Sequence, residues 1–183
     1  MQTSNIKPLY RQFLDQNYDS LPAAVQALHN IEDEQGLEGR CSIQIGENWI
    51  VRLLTKLFPF PEAGENLPLR LNLKVEHQET GAIEHWTRYF GEIKFYSEQW
   101  QADGQLYEKI RNTVATFSPA VSDKGLELRL SQIVSFGRKW PAFLQPDVVI
   151  RETEQEGKLH FSATVSTSLM GMLVHYEGWV EKV

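Results

Sequence analysis

The chain has 183 residues, 42% hydrophobic and 23% charged, the balance of one soluble globular domain with its own core. Lys plus Arg total 18 against 24 Asp plus Glu, a net charge of −6, which argues against a nucleic-acid partner and offers an anionic membrane surface nothing to attract. The single Cys41 excludes an internal disulfide and a cysteine-based zinc cluster, and no apolar run approaches the length of a membrane span. Met1–Asn5 lacks a basic start and an apolar signal core, so the expected compartment is the cytoplasm.

Pro8 suits a first helical position, and Leu9, Phe13 and Leu14 give one apolar face, which predicts a helix over 8–18. A second helix is expected at 20–30, with Ser20 as N-cap, Leu21, Val25 and Leu28 on one side and His29 near its end. Residues 32–36 read as a polar connection. Alternation of Cys41, Ile43 and Ile45 with Arg40, Ser42 and Gln44 predicts a strand over 37–45. Trp49, Ile50, Leu53, Leu54, Leu57 and Phe58 recur at the helical period, which predicts a helix at 47–58 that the prolines at 59 and 61 end.

From residue 67 the period changes to two. Leu67, Leu69, Leu71, Leu73 and Val75 alternate with polar residues, and Thr80-Gly81 marks a turn before a strand at 83–90. Gly91-Glu92 reads as a hairpin loop into a strand through Phe95 and Tyr96. Further strands are expected near 105–117, 125–134, 147–154, 159–168 and 172–181, with turns at Asp103-Gly104, Asp123-Lys124-Gly125 and Glu156-Gly157. Phe136–Leu144 is irregular. Eight or nine consecutive strands define an antiparallel meander, and a sheet that large curls to manage its edges. The expected architecture is α+β in a single domain, 1–183: N-terminal helices (8–60) packed on a strongly curved, mainly antiparallel sheet (67–183), a partial barrel.

Within the 83–90 strand, Trp86, Arg88 and Phe90 share one face. An arginine between two rings is either a structural residue paired with a carboxylate or the anchor of a ligand. The order and spacing of Leu9-Tyr10, Leu21-Pro22, Leu28-His29, Gly39-Arg40, the Phe58-Pro59 and Phe60-Pro61 pairs, Gly64, Trp86-x-Arg88-x-Phe90-Gly91 with Phe95 and Ser97, and Leu173-Val174-x-Tyr176-x-Gly178-Trp179 resemble the bacterial family known as domain of unknown function 4166. The resemblance covers nearly the whole chain. It implies occurrence alone or fused to a saccharopine-dehydrogenase-like nucleotide-binding domain, and so a dehydrogenase-like protein as a possible partner. The chain carries no G-x-G-x-x-G fingerprint for a dinucleotide of its own.

His29 is a second candidate, either capping its helix or serving a site. In the last strand His175 and Glu177 share a face, the pattern of a general base with its orienting carboxylate, while Tyr176 faces the apolar side with its hydroxyl at an edge. Arg138, Lys139, Trp140, Pro141, Phe143 and Asp147 form an aromatic–basic loop, either a lid or a segment tucked on the barrel end. The five histidines show no ligand-spaced pair, and there is no nucleophile elbow or phosphate loop, so neither metal nor cofactor is expected. The favoured reading is a domain that binds a small hydrophobic or amphipathic anion under the bent sheet through Arg88, Trp86, Phe90, His29 and Tyr176. The alternatives are an accessory module for a dehydrogenase-like partner and an acid–base enzyme using His175 and Glu177, or His29.

Overall fold

Ten strands follow one another around a closed ring in the computed structural model, which describes residues 7–47, 62–78 and 81–183. They are β1 (Glu34–Ile45), β2 (Gly64–Gln78), β3 (Gly81–Phe90), β4 (Ile93–Ala102), β5 (Gln105–Ile110), β6 (Thr113–Ser122), β7 (Gly125–Ser135), β9 (Asp147–Gln155), β10 (Lys158–Thr167) and β11 (Gly171–Lys182). The two-residue β8 (Arg138–Lys139) pairs only with the end of β7 and stands outside the ring. Every pairing is antiparallel, and β1 meets β11 over Leu37↔Lys182 to Ile45↔Val174. The sheet is therefore a closed up-and-down barrel and not the expected partial one. Closure pairs the backbone N–H and C=O groups that β1 and β11 would otherwise leave open at two edges.

The expected α+β balance also gives way to a mainly β fold. The segment expected as one helix over 8–18 is α1 (Leu9–Leu14) followed by a 3₁₀ turn at Asp15–Ser20, and the second helix is α2 (Ala23–His29). Helices of 6 and 7 residues are too short to persist by themselves and depend on packing. The polar stretch before residue 37 is strand from Glu34 onward, and the stretch expected as a single strand over 105–117 is β5, a turn at Arg111-Asn112 and β6. The expected helix at 47–58 falls on residues 48–61, outside the described residues.

Alternation sorts the side chains. Leu69, Leu71, Leu73 and Val75 of β2 point inward and are buried, while Arg70, Asn72, Lys74 and Glu76 between them are exposed. An apolar interior within a charged outer wall is the reverse of a membrane-spanning barrel. Among the described residues, no helix is long and apolar enough to cross a membrane.

The helical segment fills one end of the barrel, the end that carries the turns at 103–104, 123–124 and 156–157. Glu154 of β9 accepts a hydrogen bond from the Ala24 N–H at the start of α2 (2.7 Å), taking the capping role expected of Ser20, whose hydroxyl instead bonds the Asn17 carbonyl. Gln35 of β1 donates to the Ala27 and Leu28 carbonyls at the other end of α2. Leu73, Leu106, Leu126, Leu159 and Val180, at this end, are sealed by Leu9, Tyr18, Val25 and Leu28 from the helical segment. Toward the opposite end the inward-facing Phe95, Leu130, Ile150, Phe161, Val165 and Tyr176 pack against the core and are only partly buried.

Candidate functional site

β3 points Ala82, Glu84, Trp86, Arg88 and Phe90 into the barrel. Arg88 stands directly opposite Phe95 of β4, and Trp86 opposite Ser97. The guanidinium donates to Ser97 Oγ (2.8 Å) and to Glu108 Oε1 of β5 (3.2 Å). It lies 4.8 Å from the Trp86 ring and 5.6 Å from the Phe95 ring. Arg88 is thus a paired arginine, with its side chain still 15% exposed. An arginine has five N–H donors, so these two bonds leave others for a guest. Because Glu108 balances its charge, the pair offers a polar guest both a donor and an acceptor.

Tyr176 of β11 faces the same space, opposite Ile43 and Ala163. Its ring meets Phe90 edge-on at 5.9 Å and lies 6.1 Å from Phe161. Burial raises its hydroxyl pKa above the usual phenol range, with Arg88 pulling the other way. At neutral pH it is a protonated donor.

Closer to the plugged end lies a second polar cluster. His29 Nε2 is 2.6 Å from Glu152 Oε2 of β9, and its ring stacks on Tyr10 with centroids 3.5 Å apart. Tyr10 donates to Gln99 Oε1 (3.1 Å) and Trp86 Nε1–H to Glu84 Oε2 (3.0 Å). Burial pushes the Glu84 carboxyl up to about 7, opposed by His29 and by the Trp86 N–H. Among the described residues, His29 Nδ1 and Glu84 Oε1 have no hydrogen-bond partner.

The five candidate residues share one interior. Trp86 joins the two clusters, 6.0 Å from the His29 ring and beside Arg88, and Phe90 reaches Tyr176. They differ in access: His29 is fully enclosed, Trp86 and Phe90 nearly so, whereas Arg88 and Tyr176 are only partly buried. His175 and Glu177 lie on the outer wall 3.6 Å apart, with Glu177 61% exposed and His175 bonded to Thr164. They form no enclosed site. Among the described residues no three metal-ligating side chains come together.

Sequence reasoning passed over Glu84, Glu108 and Glu152. Each carried a readable signal: a carboxylate at even spacing from the apolar residues of its strand, as Glu84 from Trp86, Glu108 from Leu106 and Glu152 from Ile150.

Fold and interior together define a helix-plugged, ten-stranded antiparallel barrel, a fold compatible with holding a small ligand. The chain belongs to the family described as domain of unknown function 4166, whose pattern it matches over residues 21–180. No curated protein matches it.

Proposed function

We propose that the barrel binds one small amphipathic molecule, its apolar body against Phe95, Leu130, Ile150, Phe161 and Val165 and its polar end at Arg88, Glu108 and Tyr176. The observation that carries this reading is a set of inward-facing rings and aliphatic chains that are only partly buried, in the half of the barrel away from α1 and α2. A hydrogen-bonded ion pair with spare donors sits at its floor. Because Glu108 already neutralises Arg88, the geometry suits a guest with a hydroxyl, carbonyl or amide better than the bare anion that Arg88 alone would favour. The proposed compartment is the cytoplasm, which suits a lone, unpaired and buried cysteine.

Native mass spectrometry of the protein purified from its own host tests this. Extra mass that leaves on denaturation, and that is reduced in Arg88→Met and Tyr176→Phe variants of native fold, is expected. A bare mass from every preparation, with no uptake of added long-chain alcohols or acids, would count against it.

A further inference from the structure

Six large hydrophobic side chains are conspicuously exposed among the described residues, and four of them stand on one arc of one rim. Phe136 (80% exposed) tips the β7–β8 turn, Phe143 (72%) and Leu144 (46%) occupy the 3₁₀ turn at Ala142–Leu144, and Leu169 (77%) tips the β10–β11 turn. The loops adjoin, because Ser166 of β10 pairs with Asp147 directly after the 3₁₀ turn. This rim is the one opposite the helical plug.

Phe136 is the telling residue. It takes a left-handed backbone, φ 51°, ahead of Gly137, a position that asparagine, aspartate or glycine fills without strain and a bulky aromatic does not. The equivalent positions in other turns hold Asp103, Arg111 and Glu156, none of them aromatic. A strained aromatic held out into solvent points to something that receives it. The same arc holds Arg111, Arg138 and Lys139 against the single Asp147, locally basic in a chain of net charge −6. Glu47, Glu62, Glu65 and Glu92 lie on the other arc of that rim, and Glu32, Asp33, Glu34, Asp103, Asp123 and Glu156 at the plugged end.

Although the net charge of −6 gives an anionic membrane no overall attraction, we propose that this locally basic arc docks on the surface of an anionic lipid bilayer, with Phe136, Phe143, Leu144 and Leu169 entering the interface and Arg111, Arg138 and Lys139 facing the headgroups. Apolar tips ringed by basic side chains match the layering of a bilayer surface. The acidic plugged end turns the barrel so that the opposite rim faces the lipid. Among the described residues, the other exposed large hydrophobics, Tyr96 and Val183, do not cluster. The proposal does not depend on the interior being occupied.

The test is sedimentation of the purified protein with phosphatidylcholine vesicles, with and without about one-third phosphatidylglycerol. Binding to the anionic vesicles, weaker at about 0.5 M salt, is expected. A Phe136→Ser, Phe143→Ser variant of unchanged thermal stability should bind at least about tenfold more weakly. Arg138→Glu with Lys139→Glu should cost about fivefold per residue and flatten the salt dependence. Asp123→Asn at the plugged end should change nothing. No binding to anionic vesicles, or binding indifferent to the rim variants, would overturn the proposal. So would a dimer that the same phenylalanine changes dissolve, which would assign the arc to a second copy of the chain.

Discussion

The Tyr10 ring lies flat on the His29 ring, centroids 3.5 Å apart and planes 21° from parallel, and each ring is tied by its polar atom to a different strand. Tyr10 reaches Gln99 on β4, and His29 reaches Glu152 on β9. One stacked pair thus joins α1 and α2 to strands on separate arcs of the ring and holds the plug in place.

Removing His29 strands Glu152, whose side chain is only 9% exposed. His29→Leu is expected to cost roughly 2–4 kcal/mol, because a buried carboxylate loses its partner. His29→Leu combined with Glu152→Leu should regain much of that loss. Urea unfolding midpoints of the three variants measure both.

Glu84 gives stability a pH dependence of definite sign. Its folded pKa is raised to about 7 from an ordinary 4.5, so the folded state holds a proton that the unfolded chain has released. Its favourable contribution is complete below about pH 4.5 and is lost as pH rises through about 7, a change of about 3 kcal/mol. Thermal scans across that window should show this component of stability declining with pH. In Glu84→Gln, which does not titrate, the component should vanish and stability above pH 7 should rise.

The seam that closes the barrel depends on two glycines. A Cβ on Gly39 would collide with the Trp179 carbonyl oxygen, and one on Gly178 with the Arg40 carbonyl oxygen, each across the β1–β11 pairing. Neither obstacle can move without breaking the ladder. Gly39→Ala and Gly178→Ala should each cost more than about 2 kcal/mol by urea unfolding. Gly36→Ala, whose Cβ would meet nothing within 4 Å, should stay near the parent protein.

The strands were legible because one face of each is buried, which writes the period of two into the residues: β2 reads off its leucines. Turns were legible where glycine marks them, as at Gly104 and Gly157, and missed at Arg111-Asn112, where a non-glycine residue takes φ 54°. Ring closure was not legible, since whether β1 meets β11 depends on strand tilt and stagger summed over ten strands and not on any local pattern. The inward Trp86–Arg88–Phe90 face follows from alternation alone. The partners of Arg88 and His29 do not, because Glu108 and Glu152 lie 20 and 123 residues away. His29, expected as a ligand anchor or a cap, also ties the plug to β9 through Glu152, a contact visible only once Tyr10 and β9 are placed beside it.

The central claim is that the half of the barrel beyond Trp86 is a binding chamber, and blocking that chamber tests it most directly. Val165 faces inward there, opposite Val174, and is only partly buried. A long-chain alcohol carrying a polarity-sensitive fluorophore should bind the parent protein at one saturable site with blue-shifted emission. Val165→Trp, of unchanged circular dichroism, should abolish that signal by occupying the space. Saturable binding that survives Val165→Trp unchanged, or no saturable binding by the parent protein, would contradict a chamber in the barrel.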